Sequence, residues 1–138
     1  KANAALRAGL APIICVGETE QERLAGHAED VVAKQLTASV PDGVDGLRLS
    51  VAYEPVWAIG SGRTPSIDEI MSVHSAMRRA LKNLLGDKAG ESVRLLYGGS
   101  VKPGNANEIL NLPEVDGALV GGASLNANDF LSIALAIS

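Results

Sequence analysis

Sulfur chemistry is nearly absent: Cys15 is the one cysteine in 138 residues. No internal disulfide can form, and a reducing compartment is the easier home. No run approaches the roughly 18 apolar residues of a membrane span, and the opening Lys1-Ala2-Asn3-Ala4-Ala5-Leu6 has no apolar signal core. A soluble cytoplasmic protein is expected. Basic charge is also short. The net charge of −4 argues against a general nucleic-acid surface, so any anionic ligand must be held by local dipoles rather than by a basic field. No Gly-x-x-x-x-Gly-Lys-Ser/Thr sequence occurs, and no histidine–carboxylate cluster suggests a metal. No cofactor is expected. His27 and His74 read as ordinary mid-helix residues, and Cys15, inside Pro12 to Val16, as a core residue rather than a nucleophile. An initiating methionine is missing and the chain opens inside a helix, so it is expected to be a piece of something longer.

What is present is a repeated pattern. Hydrophobic residues make up 46% of the chain, ample for a buried core. Lys1 to Ala8 reads as a helix stopped by Gly9, followed by a strand over Pro12 to Val16. Thr19-Glu20-Gln21-Glu22 is a capping box, opening a helix that runs to about Val40 with Leu24, Ala28, Val31, Val32 and Leu36 on one face. A turn-rich loop over Pro41 to Gly46 leads to the strand Leu49 to Tyr53. Ser66-Ile67-Asp68-Glu69 is a second capping box, whose helix buries Ile67, Ile70, Met71, Met77, Leu81, Leu84 and Leu85 before Gly86. A third strand spans Val93 to Tyr97 and a shorter helix about Gly104 to Leu110. The fourth strand, Gly117 to Val120, ends at Gly121-Gly122, and Asn126 can cap a last helix to Ile137. Four strand-then-helix units in series imply parallel strands with helices packed outside, an α/β fold. An open doubly wound sheet fits the length, whereas a (β/α)8 barrel usually needs roughly 250 residues and would be half present.

The strand ends carry the candidate chemistry. Gly98-Gly99-Ser100 and Gly121-Gly122-Ala123 let backbone N–H groups approach a ligand, each ahead of a helix N-terminus, so the two turns could converge on one phosphate. Glu54 stands where the second strand stops, with Pro55 ending the ladder. Beyond it, Pro55, Trp57 and Pro65 restrain the ends of a loop whose centre, Gly60-Ser61-Gly62, is pliant. That is how a hinged lid is written, and Gly60 is a natural third donor. A carboxylate partly desolvated under a closing lid suits a general base that removes a proton next to a carbonyl.

Ala52-Tyr53-Glu54-Pro55-Val56-Trp57-Ala58-Ile59-Gly60, then Tyr97-Gly98-Gly99-Ser100-Val101 and Val120-Gly121-Gly122-Ala123-Ser124-Leu125, resemble the second half of the triosephosphate isomerase family. Ile14 to Thr19 and Glu22-Arg23 resemble its fifth strand and following helix. The resemblance implies the last four units of a (β/α)8 barrel, residues 1–138 forming the C-terminal half of one domain. It implies Glu54 as the catalytic base that moves a proton between two carbons of a triose phosphate through an enediolate. It implies Gly60, Ser100, Gly121 and Gly122 as the phosphate grip, Pro55–Trp57 and Arg63–Pro65 as lid hinges, Tyr97 holding the closed lid and Glu18 the open one through Trp57. Asp116 is expected to pair with Arg78 as support. The family's lysine, asparagine and histidine fall in the absent half, so the expected partner is that N-terminal half, with a homodimer once complete. The chain alone is expected to be inactive. The alternative is a non-catalytic half-barrel, an assembly or phosphate-binding module whose open strand edges a partner must cover.

Overall fold

The structure is a computed structural model that describes residues 1–137. After helix α1 (Ala2–Arg7), strand β1 (Ile13–Val16) opens a parallel sheet continued by β2 (Ser50–Tyr53), β3 (Arg94–Tyr97) and β4 (Gly117–Ala118), in the order β1-β2-β3-β4. Each strand lies beside its predecessor, so the order never reverses as it must in a doubly wound sheet. Right-handed crossovers that all step the same way keep their helices on one face, the construction of a (β/α)8 barrel.

Alternation along the strands shows which face is which. Ile14 and Val16, Val51 and Tyr53, and Leu95 and Tyr97 point into the core beneath the helices. Ile13, Cys15 and Arg94 occupy the other face and are exposed. Cys15 is therefore a residue of the open face, not of the core as its apolar run suggested. Helix α4 (Ile67–Leu85) supplies Ile70, Val73, Met77 and Leu81 to the core and helix α3 (Ala28–Ser39) supplies Val32 and Leu36, all below 1% exposed. His74 is buried with them, as a core histidine.

Both capping boxes form: Thr19 accepts from the Glu22 N–H and Ser66 from the Glu69 N–H, each returned by the glutamate carboxylate. The helix opened by Thr19 does not run on to Val40. It stops as α2 (Glu20–Leu24), because Gly26 turns the chain at φ +77°, and α3 restarts at Ala28. The break rotates the helical face, so Leu24, expected in the core, is 82% exposed, and His27 becomes the residue that precedes α3 rather than one within a helix. Leu84, near the end of α4, is likewise exposed. A short helix, α5 (Asp87–Ser92), follows Gly86 where the sequence suggested only a link. Helices α6 (Pro103–Leu110) and α7 (Ala127–Ala134) complete the chain, with the Asn126 side chain accepting from the Asn128 and Asp129 N–H groups. β4 is shorter than the expected Gly117 to Val120, and a 3-10 turn over Gly122–Leu125 stands between it and α7.

Candidate active site

Because Tyr53 faces the core, the next residue turns to the open face, and Glu54 does so at the end where all four strands finish. Its N–H donates to Val16 O at 2.7 Å, and on the other side Gly98 N–H donates to Tyr53 O at 2.8 Å. Two glycines make room for it. A Cβ on Gly17 would lie 1.7 Å from the Glu54 carbonyl oxygen, and one on Gly98 would lie 2.6 Å from the Glu54 Cγ. The Cys15 thiol is pushed up first by burial and then by the charge and hydrogen bond of Glu54, which places these side chains together on the open face.

Beside Glu54 opens a cleft of about 560 Å³ whose lining includes Gly60, Gly98, Ser100, Gly121 and Gly122. The three glycine-bearing segments thus border one hollow, and Glu54 reaches its edge through Gly98 without lining it. Gly99 packs on Tyr97, where a Cβ would meet the phenol oxygen at 2.2 Å. The buried Tyr97 hydroxyl has no partner among the described residues, and burial pushes its pKa up to about 12.

The loop between β2 and α4 is tied at its first end. Trp57 Nε1–H donates to Glu18 at 2.8 Å, and the Val56 N–H donates to Glu18 O at 3.1 Å. Glu18 is fully buried, and the same carboxylate oxygen accepts from Arg23 Nε at 2.9 Å and from the Tyr53 hydroxyl at 3.1 Å. The Tyr53 phenol pKa is raised by that burial and by the Glu18 charge. Across the loop Arg63 binds Glu20, donates to Trp57 O at 3.1 Å and stacks 5.2 Å over the indole. Gly60 and Gly62 adopt φ +69° and +76°, the left-handed region the turn requires.

Arg78, buried on α4, braces the approach to β4. It donates to Asp116 Oδ2 at 3.2 Å, to Glu114 Oε2 at 2.6 Å and to the carbonyls of Gly90, Glu91 and Val93. Asp116 also accepts from the Leu95 N–H at 2.7 Å, so the expected Arg78–Asp116 pair fastens β4 to β3.

Sequence reasoning missed Gly17, Lys102 and Asp129. Gly17 directly follows β1 as Gly98 follows β3, a repetition that could have marked it. Lys102 and Asp129 line the cleft and only the folded turns bring them there. No group of three or more metal-ligating side chains occurs among the described residues. None of the helices described is long and apolar enough to cross a membrane.

A family model described as triosephosphate isomerase matches residues 1–137. Triosephosphate isomerase of Ruegeria pomeroyi is 58% identical over 137 residues, 99% of this chain and 55% of that protein. The protein of the same name from Afipia carboxidovorans is 59% identical over 97% of this chain and 53% of its own length. The crystal structure of triosephosphate isomerase from Bartonella henselae superposes with a TM-score of 0.90 at 46% identity, covering 99% of this chain and 54% of that one. The chain spans about half the length of the curated relatives it matches.

Proposed function

The chain belongs to the triosephosphate isomerase family, and from that premise we propose that it supplies the base and the phosphate grip of an enzyme interconverting dihydroxyacetone phosphate and glyceraldehyde 3-phosphate. Glu54 takes a proton from the carbon beside the carbonyl and returns it to the neighbouring carbon of the enediolate. The N–H groups of Gly60, Ser100, Gly121 and Gly122 hold the phosphate. The loop from Pro55 to Pro65 closes over both, excluding water so that the enediolate is reprotonated before phosphate leaves. In that reading the Trp57–Glu18 bond belongs to the open loop, and the unpartnered Tyr97 hydroxyl waits for the closed one.

The observation that supports this best is the meeting at Gly98. It carries the Glu54 side chain on one side and borders the cleft shared by Gly60, Ser100, Gly121 and Gly122 on the other. Of the described residues bordering the cleft only Lys102 is cationic, and it stands beside the Ser100 turn assigned here to the phosphate, so a group to polarise the substrate carbonyl is still needed; electrostatic stabilisation of that kind usually contributes more to an enzymatic rate than any other effect. The other half of a barrel must bring it, closing the β1 and β4 edges at the same time. The reading extends to a homodimer of complete barrels in the cytoplasm, serving glycolysis and gluconeogenesis, with the chain alone inactive.

The test mixes the chain with a separately produced N-terminal half of a relative and assays isomerisation. Activity is expected only in the mixture, with Glu54→Gln lowering it by at least about a hundredfold. An active Glu54→Gln mixture refutes the assignment. A second reading, a non-catalytic half-barrel that binds phosphate or assembles, rests on the open edges and on exposed Phe130 and Leu131 of α7 and Leu135 just after it; it predicts association without turnover.

A further inference from the structure

Gly17 sits one residue beyond β1, where its own N–H and C=O have left the strand ladder. Backbone groups in that position need partners. The side-chain amide of Gln35, half-buried on α3, supplies both: Gly17 N–H donates to Gln35 Oε1 at 2.8 Å and Gln35 Nε2 donates to Gly17 O at 2.9 Å. A primary amide has one acceptor and one donor side and so pairs with a peptide as a neighbouring strand would. Gly17 in turn is pressed against Glu54, with room for no Cβ against its carbonyl carbon and oxygen. A contact that close cannot let one backbone shift while the other stays.

We propose that Gln35 is a positioning residue for Glu54: its two hydrogen bonds fix Gly17, and Gly17 fixes the backbone from which the Glu54 carboxylate reaches the cleft. The proposal rests on the reading of Glu54 as the base. It concerns a residue on a different element, 18 positions from Gly17 in the chain, that touches neither the cleft nor Glu54 itself.

Cys15, exposed beside Glu54, reports where that carboxylate is. Burial and the neighbouring carboxylate both hold its thiol above the ordinary range, and withdrawing the carboxylate removes the second part. The experiment follows alkylation of Cys15 against pH in the chain, in Glu54→Gln, in Gln35→Met and in the double variant. Gln35→Met keeps the length of the side chain and cannot pair with Gly17. Both single variants are expected to shift the titration downward and to speed alkylation at neutral pH several-fold. The double variant should go no further than Glu54→Gln alone. Should Gln35→Met fold poorly, Gln35→Glu, which keeps the bond from Gly17 N–H and loses the return bond, is expected to fall between. In the completed enzyme Gln35→Met should lower kcat roughly ten- to a hundredfold with KM unchanged.

A folded Gln35 variant whose Cys15 titrates as in the parent overturns the proposal, as does an unchanged kcat in Gln35→Met where Glu54→Gln lowers it. If Glu54→Gln leaves isomerisation intact while Gln35→Met still moves Cys15, the base assignment falls and the positioning of Glu54 stands.

Discussion

Trp57 is bonded through its indole N–H to a Glu18 carboxylate that has no exposure at all. The loop after β2 is therefore anchored to a charge that Arg23 must neutralise, which Arg23 does through Nε at 2.9 Å and Nη2 at 2.8 Å. Removing the charge and removing the anchor should separate. Glu18→Gln leaves a largely buried guanidinium with only the longer pair to Glu69, at 3.4 Å, and is expected to cost about 2–3 kcal/mol of stability, read as a lower urea midpoint. Trp57→Phe keeps an aromatic ring beneath Arg63 and loses only the donor. It should cost about 1 kcal/mol or less while amide exchange over residues 56–62 accelerates several-fold.

Glycine substitutions should divide by what surrounds each one. Gly17→Ala places a methyl 1.7 Å from the Glu54 carbonyl oxygen, with backbone on both sides and nothing flexible to yield. A loss of about 3 kcal/mol or more is expected. Gly104 lies in the first turn of α6 with open space where its Cβ would stand, so Gly104→Ala should instead gain about 0.5 kcal/mol. Thermal denaturation of the two variants beside the parent checks both signs.

Much of this was legible in the sequence. The capping boxes at Thr19 and Ser66, the four apolar strands and the glycines after them are local signals, and all formed where their residues stood except that the fourth strand covers only Gly117–Ala118. The break at Gly26 was not legible. A glycine within an amphipathic pattern costs only about 1 kcal/mol in a helix, so tertiary packing and not propensity decides whether the helix continues. Cys15 misleads for a related reason: an apolar run states that a strand is buried, not which face remains open when only four strands are present. Gln35 lay beyond reach altogether, since nothing in its neighbourhood announces that its amide will pair with a backbone 18 residues away.

His74 makes stability depend on pH. Its Nδ1–H donates to Glu114 O at 2.7 Å, while Nε2 is buried with no partner among the described residues. Burial pushes the imidazole pKa below its ordinary 6.5, against smaller opposing effects from the Glu114 carbonyl and the Asp116 and Glu114 charges. The unfolded chain therefore takes up the proton first, near 6.5, while the folded chain resists it. Stability attributable to His74 is full above that pH and falls as the pH drops below it. Urea midpoints between about pH 7.5 and pH 5 should decline in the parent. In His74→Gln, which cannot protonate, the decline should be smaller; parallel slopes would refute the assignment.

Among the described residues Lys102 and Asp129 are the charged ones bordering the cleft, and neither is in an ion pair there. A phosphate monoester near neutral pH carries between one and two negative charges. Lys102 should draw it towards the Ser100 side, and Asp129, in the first turn of α7, should repel it while occupying the positive end of that helix dipole. Each unit charge at the partly solvated rim is expected to be worth on the order of 1 kcal/mol, about fivefold in affinity. Inorganic phosphate titrated into the chain, followed through the amide signals of Gly60, Ser100, Gly121 and Gly122, should bind more weakly in Lys102→Gln and more tightly in Asp129→Asn. Lys88→Gln removes the same charge from an exposed position of α5, outside the cleft lining, and controls for net charge alone. Raising salt should shrink the difference between Lys102→Gln and the parent, since screening acts on the ammonium and leaves the backbone donors in place. A Lys102→Gln affinity equal to that of the Lys88→Gln control would mean that peptide dipoles hold the anion by themselves.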